Sequence, residues 1–324
     1  MTKIRNQNIV YGAMEEPKTT ADVVIIGGGP AGMAAAFWCA ELGLDPVIVD
    51  REVELGGQLL RIRNVINNYL GVPSMGGGEL RDRFLAQLDG KTYESVLGCN
   101  IGSVNLRDKK VTFSSGAELF GKTMIIATGV RRRELDVPGA KEFIGRGILD
   151  SGVGERGKAV GKRVVIVGGG DAAIENAVLL SAIAEQVFVV HRRKEFSARS
   201  EFVNVVRKAQ NVEFLTPMSV DAILGGASVE AVTVGDRLTR KTLDIPTDLV
   251  LIRIGVEPNT DLFVGQTDLT DKGYVSIDNL CATNLPGVFA IGDVANFEAP
   301  TISAAVGSAA TAAKAVLAFI SEAS

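Results

Sequence analysis

The chain has 324 residues, a net charge of −4 and a pI near 5.3. That length suits two domains with full cores, and the charge balance speaks against a nucleic-acid or anionic-membrane partner. With three cysteines and one histidine, a disulfide framework is excluded and zinc or iron–sulfur sites lack ligands.

Residues 1–20 are polar and hold no apolar leader segment, so they are expected to be a tail ahead of the first strand in a cytoplasmic protein. No apolar run is expected to reach the about 20 residues of a membrane span. An unbroken apolar run, Val23–Ile26, then reads as a strand buried on both faces. Gly27, Gly29 and Gly32 follow as G-x-G-x-x-G, with Pro30 and Ala31 opening a helix to about Glu41. This order of strand, glycine turn and helix places helix N–H groups against a pyrophosphate. Asp50 closes the next apolar strand, where a carboxylate accepts both hydroxyls of a ribose, and Arg51 and Glu52 follow it.

Gly56, Gly57, Gln58 and Leu59 then offer backbone that can lie against a flat ligand, and the Asn67, Asn68 and Tyr69 cluster offers amides for a ring edge. A Gly76–Gly78 loop precedes a helix from about Glu79 to Leu88. Residues 92–120 read as a β-meander, and Thr123 to Gly129 as a buried strand ending in the turn Ala127, Thr128, Gly129. Arg131, Arg132 and Arg133 read as a linker, with a solvated basic face preferred over a dock for an acidic carrier such as ferredoxin.

The nucleotide pattern returns 141 positions on, Gly27 matching Gly168. Here Gly168, Gly170, Asp171, Ala172 and Ala173 form the turn, with Ala173 at the register of Gly32 and His191 at that of Asp50. Arg192 and Arg193 replace Arg51 and Glu52. A carboxylate repels the 2′-phosphate of NADP whereas arginines bind it, so the second unit reads as an NADPH site, with Arg199 as a third contact. The register of His191 points to a binding or structural role. Residues 212–250 read as a second meander through Val212–Leu215, Val229–Val234 and Leu249–Ile254, and Glu257–Thr260 as a return linker. Leu285 to Asp293 gives a buried strand, then Gly292 and Asp293; Pro300 and Thr301 open a small-residue helix to about Phe319.

Over about residues 20–322 these motifs resemble the low-molecular-weight thioredoxin reductase family of FAD/NADPH flavoproteins. The resemblance rests on Gly27–Gly32, Gly56–Leu59, Ala127–Gly129, Gly168–Ala173, His191–Arg193 and Phe289–Asp293. It implies an α/β fold of two Rossmann-like, three-layer ββα dinucleotide-binding domains, each with a small β-meander. The first, discontinuous domain spans 1–134 and 258–324 and holds FAD; the second, 135–257, holds NADPH. The resemblance further implies Asp293 on the ribityl chain, the N–H groups near Thr301 and Ile302 at the flavin N1/C2 edge, and a homodimer. One departure stands out. Ser151 and Gly154 occupy the positions of the family's redox Cys-x-x-Cys, and neither forms a thiolate or a disulfide. A related group places one cysteine inside the first glycine motif, where this chain has Ala31.

Of the three thiols, Cys39 reads as buried helix packing beside Trp38, Cys99 as a strand-edge residue and Cys281 as surface-exposed. The expected activity is FAD reduction by NADPH, aided by rotation on linkers near 131–136 and 254–260, then electron delivery to an external acceptor: ferredoxin, a flavin, a quinone, a small disulfide or oxygen. The alternatives are a ferredoxin-linked or direct disulfide reductase, or a flavin-bound sensor with little turnover.

Overall fold

The computed structural model describes residues 9–10, 19–62 and 65–323. It divides into two units, one running to Arg131 and resuming at Glu257, the other Arg132–Val256; the breaks expected from the sequence fall after 134 and 257.

The first unit is built on an eight-stranded sheet in the order Ile9–Val10, Glu94–Val96, Pro46–Val49, Thr20–Ile26, Glu118–Ile126, Lys110–Phe113, Ile101–Asn105, with Val288–Ala290 also pairing Glu118–Ile126. Thr20–Ile26 lies parallel to both Pro46–Val49 and Glu118–Ile126. The long strand Glu118–Ile126 serves two partners on its other edge. Its first residues take the antiparallel Lys110–Phe113, and Met124–Ile126 take the parallel Val288–Ala290.

The apolar run of the first strand splits by alternation, as strand geometry requires. Val23 and Ile25 face a helical layer with Ile48, Ile125 and Phe289; Val24 and Ile26 join Val47, Val49 and Met124 against the meander residues Val104, Val111 and Phe113. The helical layer is α1 (Pro30–Glu41), α2 (Gly77–Leu88) and a long C-terminal helix, Ile302–Ala323. Helix α1 buries Ala35 and Ala36, and the C-terminal helix buries Ala305, Ala309, Ala312 and Ala313 in the same cluster. Small side chains let the two helix backbones approach closely.

The second unit repeats the plan. Its parallel sheet runs Val212–Leu215, Gln186–Val190, Arg163–Val167, Leu249–Ile252, Ile148–Leu149. Val164, Ile166, Val187 and Val189 face α3 (Asp171–Ser181) and α4 (Ser200–Val206). Val165, Val167 and Val190 face an antiparallel meander of Met218–Gly225, Val229–Asp236 and Thr242–Pro246. The C-terminal helix is α5. Each unit is therefore a three-layer ββα sandwich.

Four expectations are corrected. Glu94–Val96 belongs to the parallel sheet, not the first meander. Val212–Leu215 and Leu249–Ile252 belong to the second parallel sheet, and the second meander is 218–246. Within the N-terminal tail, Ile9–Val10 pairs in parallel with Ser95–Val96; the remainder of 1–18 lies outside the described residues. Among the described residues one helix, α5, is long and apolar enough to cross a membrane by length and composition. Alanines give it that character, and its buried alanines pack in the core with α1.

Candidate functional site

In the first unit three stretches far apart in sequence meet at the glycine turn. Gly27 has φ 111 and donates its N–H to Val49 O over 2.8 Å. A β-carbon on Gly32 would lie 1.8 Å from Gly27 O, so α1 enters against the turn itself. Gly29 caps α1 and Pro30 is at its start, and no side chain caps its first N–H groups. Asp50 follows Pro46–Val49; its carboxylate accepts from Gly28 N and, over 2.9 Å, from Glu52 N. Arg51 is exposed and without a partner among the described residues.

The second stretch is Glu54–Ile62. Gly56 N donates to Gly28 O over 2.8 Å, and a β-carbon on Gly57 would lie 2.8 Å from Gly29 Cα. Gly57–Arg61 is a single 3₁₀ turn with Leu59 buried. Gln58 Nε2 donates to Val130 O over 3.0 Å. Asn68 stands exposed just beyond. The Ala127–Gly129 turn is tied to Asn259: Thr128 Oγ1 donates to Asn259 O over 2.8 Å, and Asn259 Nδ2 to Thr128 O over 2.7 Å.

The third stretch comes from the end of the chain. A β-carbon on Gly292 would lie 2.8 Å from Ala31 Cβ, which puts Asp293 beside the first turn of α1. Asp293 is half-buried and has no hydrogen bond or ion pair among the described residues; burial pushes its carboxyl above the ordinary range. Thr301 caps α5, its Oγ1 accepting from Ala304 N over 3.1 Å, and Ile302 is the first helical residue.

Two residues escape the sequence reading. A β-carbon on Gly77 would lie 2.3 Å from Leu59 O, so the start of α2 abuts the 3₁₀ turn. One helical turn later Arg81 donates Nε to Leu55 O over 2.7 Å and pairs Nη2 with Glu54 over 2.7 Å. A glycine four residues before an arginine on one helix face is the only trace of this in the sequence.

In the second unit Gly168 has φ 147, and a β-carbon there would lie 2.1 Å from Arg253 O. Gly170 caps α3, and Asp171 and Ala172 begin it. Ala173 fills the place of Gly32: its Cβ lies 3.1 Å from where a β-carbon on Gly168 would stand, so its methyl group is set close against the turn. The His191 ring lies over Gly169, stacks on Phe196 at 5.4 Å between centroids and has Nε2 3.2 Å from Glu195 O. Burial, helped by Arg193 and Arg192, holds its pKa below the ordinary value. Arg192 and Arg193 are exposed and have no hydrogen bond or ion pair among the described residues.

Arg199 differs from expectation. Its guanidinium pairs with Asp171 at 3.0 Å, Glu175 at 3.0 Å and Glu201 at 3.3 Å, so this third cation is already neutralised by the protein. The Arg131–Arg133 run lies at the break between the units with Arg132 and Arg133 exposed, as a solvated linker face requires, and its guanidinium groups have protein partners. Arg131 pairs with Glu257 and Asp261, Arg132 with Asp150, and Arg133 Nε donates to Val256 O over 3.0 Å.

Ser151 and Gly154 form a closed turn. Ser151 Oγ accepts from Gly154 N over 3.0 Å, and Glu155 Oε2 accepts from Asp150 N and Ser151 N over 2.7 and 3.0 Å. Burial pushes the Glu155 carboxyl up, but Lys158 and these two N–H groups outweigh it and hold the carboxyl below the ordinary range. Cysteine chemistry is muted elsewhere. Cys39 is buried and its thiol is pushed up to about 12; burial also raises Cys99 and Cys281. Cys281 is 6% exposed, not at the surface: it packs in the cluster with the α5 alanines and its Sγ donates to Ser308 O over 3.6 Å. Among the described residues no group of three or more His, Cys, Asp or Glu is arranged to hold a metal.

The family model for pyridine nucleotide-disulphide oxidoreductases matches residues 21–315. The chain belongs to that family. Thioredoxin reductase of Listeria innocua is 33% identical over 84% of this chain and 85% of its own length. Thioredoxin reductase of Bacillus subtilis is 32% identical over 93% of this chain and 95% of its own length. Among solved structures, thioredoxin reductase of Lactococcus lactis in its FR conformation superposes with a TM-score of 0.82 at 28% identity, covering 93% of this chain and 99% of that one. The chain is thus a thioredoxin reductase-like FAD/NADPH flavoprotein. Its residues fit both groups. The first unit offers a backbone cradle that β-carbons would fill and a half-buried carboxylate with no donor among the described residues; the second offers, beside its glycine turn, two arginines with no partner among the described residues.

Proposed function

We propose that this pyridine nucleotide oxidoreductase uses NADPH to reduce FAD and passes the electrons to an external acceptor without an internal redox disulfide. The observation that carries the reading is the Ser151–Glu155 turn. Side-chain oxygen and backbone hydrogen bonds close it at the positions where the family resemblance implies a thiol pair, and burial raises the pKa of the three thiols elsewhere. Bound FAD supplies hydride acceptance from a nicotinamide and onward electron transfer.

The chain supplies binding and electrostatics. In this reading Gly27, Gly29, Pro30, Ala31 and Gly32 present backbone to the pyrophosphate, and Asp50 accepts from the ribose. Gly57, Gln58, Leu59 and the Ala127–Gly129 turn line the flavin, with Asn68 at the ring edge. Asp293 accepts from the ribityl chain, and the α5 N-terminus at Thr301 and Ile302 stabilises negative charge at the flavin N1/C2 edge. Gly168, Gly170, Asp171, Ala172 and Ala173 form the NADPH turn beneath His191, and Arg192 and Arg193 bind the 2′-phosphate. Arg199 shapes α4 instead. A homodimer and the absence of a membrane span belong to the same reading.

The thioredoxin reductase relatives favour a disulfide as the external acceptor, reduced at the flavin directly. Anaerobic titration tests the reading. Uptake should end at about two electrons per FAD, whereas an internal disulfide adds about two more. A wild-type endpoint near the higher value refutes the reading. Steady-state NADPH oxidation with a small disulfide, a quinone, a flavin and ferredoxin then ranks the acceptors.

A further inference from the structure

We infer that Arg81, on α2, is a positioning residue for FAD: it acts through the Glu54–Leu59 backbone to hold the cofactor-binding turn in place. The inference rests on the assignment of Gly57–Leu59 to FAD made above, and adds a residue that the glycine motifs do not reveal.

The segment Glu54–Ile62 has little regular structure of its own beyond the 3₁₀ turn Gly57–Arg61. Two of its residues must nonetheless sit within close limits. Gly56 N meets Gly28 O at 2.8 Å, and Gly57 leaves no room for a β-carbon beside Gly29. The segment is clamped from α2 at two points. At one end the Gly77 backbone packs against Leu59 O and the side chain of Ile62. At the other, Arg81 Nε donates to Leu55 O over 2.7 Å and its Nη2 pairs with Glu54 over 2.7 Å.

Gly77 and Arg81 are four apart, one above the other on a single helix face. The clamp therefore spans both sides of Gly57 and Gln58. Arg81 differs from an ordinary surface arginine. Its side chain is only 20% exposed, its Cγ lies 3.1 Å from where a β-carbon on Gly56 would stand, and it donates to a main-chain carbonyl. Arg83, two positions on, is the contrast: it is 51% exposed and among the described residues pairs only with Glu79 on its own helix. A planar guanidinium can bridge a carbonyl and a carboxylate at once, which an ammonium group does poorly. When Arg81 is lost, Leu55 O and Glu54 go to water and the turn opens before Gly57. FAD would then have to order that turn on binding, and the ordering free energy subtracts from its affinity.

The test compares Arg81→Met, Arg81→Lys and Arg83→Met with wild type. Apoprotein is prepared from each, and FAD affinity is measured by quenching of flavin fluorescence. Arg81→Met should weaken FAD binding about tenfold or more, the loss of one charge-assisted hydrogen bond. Arg81→Lys should recover part of that loss, and Arg83→Met should match wild type. The melting temperature of the apoprotein should drop only slightly in Arg81→Met, as the loss of a local contact on one turn requires, and should match wild type in Arg83→Met. At saturating FAD the kcat for NADPH-to-dye transfer should return to the wild-type value, so that the defect lies in affinity alone. Wild-type FAD affinity in Arg81→Met overturns the inference, and so does an equal loss in Arg83→Met. A lowered apoprotein melting temperature that accounts for the weaker binding overturns it too, as it would show Arg81 to be part of the general fold. Should Arg81→Met not fold, Arg81→Lys and Glu54→Gln decide: full wild-type affinity in both is the refuting result. Wild-type protein that binds no FAD would instead defeat the assignment on which the inference rests.

Discussion

Changing Arg192 and Arg193 together to Ala should convert NADPH preference into indifference at little structural cost. Both side chains are exposed and make no hydrogen bond or ion pair among the described residues, so their removal breaks nothing within the protein. A charge-assisted hydrogen bond contributes about 1.5–3 kcal/mol, and exposure puts each arginine toward or below the lower end. The pair is then worth about 2–3 kcal/mol, which corresponds to about 30- to 150-fold in kcat/KM for NADPH. NADH, which lacks the 2′-phosphate, should be unaffected, and so should the melting temperature.

Arg199→Ala gives the opposite pattern. It removes three carboxylate pairs and the packing of the guanidinium over Phe202 at 4.2 Å, and leaves Asp171, Glu175 and Glu201 without their shared cation. The pairs are on the surface, so the loss is about 1–2 kcal/mol of stability in total. Both nicotinamide cofactors should suffer alike, because what changes is the junction between α3 and α4. The assay is steady-state NADPH and NADH oxidation with a dye acceptor, alongside thermal melts. Equal losses for both cofactors in the double Ala variant, or an NADPH-specific loss in Arg199→Ala, would refute the reasoning.

Two further outcomes follow from the same structure. Gly32→Ala should abolish FAD retention and cost about 3 kcal/mol or more, since its β-carbon would stand 1.8 Å from Gly27 O and the backbone must move, whereas Ala173→Gly should cost only about 0.5–1 kcal/mol; flavin absorbance and urea melts distinguish them, and retained FAD in Gly32→Ala would count against the cradle. Asp293→Asn should stabilise the apoprotein at neutral pH and weaken FAD binding about tenfold. Burial raises the folded-state pKa of Asp293 above its ordinary 3.8, so its charge opposes folding once the pH rises through that raised value; the advantage of Asn should vanish below about pH 4, and a pH-independent gain would show that charge is not the cause.

The sequence makes the parallel cores legible because their side chains answer to both neighbouring layers at once. Val23 to Ile26 has to be apolar throughout, as alternate residues face helices and meander. Gly27 and Gly168 are legible for a similar reason: both hold a left-handed backbone against a neighbouring carbonyl. Strand direction is not legible. Val212–Leu215 and Leu249–Ile252 are short apolar runs, and nothing in such a run separates a parallel partner from a meander partner. Glu94–Val96 is easily misplaced because three residues give no period to read. Burial of Cys281 depends on packing against α5, where Ser308 comes 27 residues later, and the neutralisation of Arg199 depends on Asp171 and Glu175, which come 28 and 24 residues earlier.

These differences between sequence and structure share a physical cause that bears on the site itself. A charged side chain beside a binding turn has two uses, holding the scaffold or meeting a ligand, and its residue type is the same in either case. Partnership separates the two. Arg81, Arg131, Arg132, Arg199 and Glu155 all have protein partners, and each braces a turn, a helix start or a linker. Asp293 and the Arg192–Arg193 pair have none among the described residues, although Asp293 is half-buried and the arginines carry like charge side by side. Burial makes the unpaired carboxylate unfavourable in the empty protein, whereas the exposed arginines are solvated and stay available to a ligand. A ligand brings complementary chemistry to each: hydroxyl donors for the half-buried carboxylate, a phosphate for the adjacent guanidinium groups. These groups fall one set to each unit, a carboxylate beside the first glycine turn and two arginines beside the second. That distribution supports the proposed placement of FAD in the first unit and NADPH in the second.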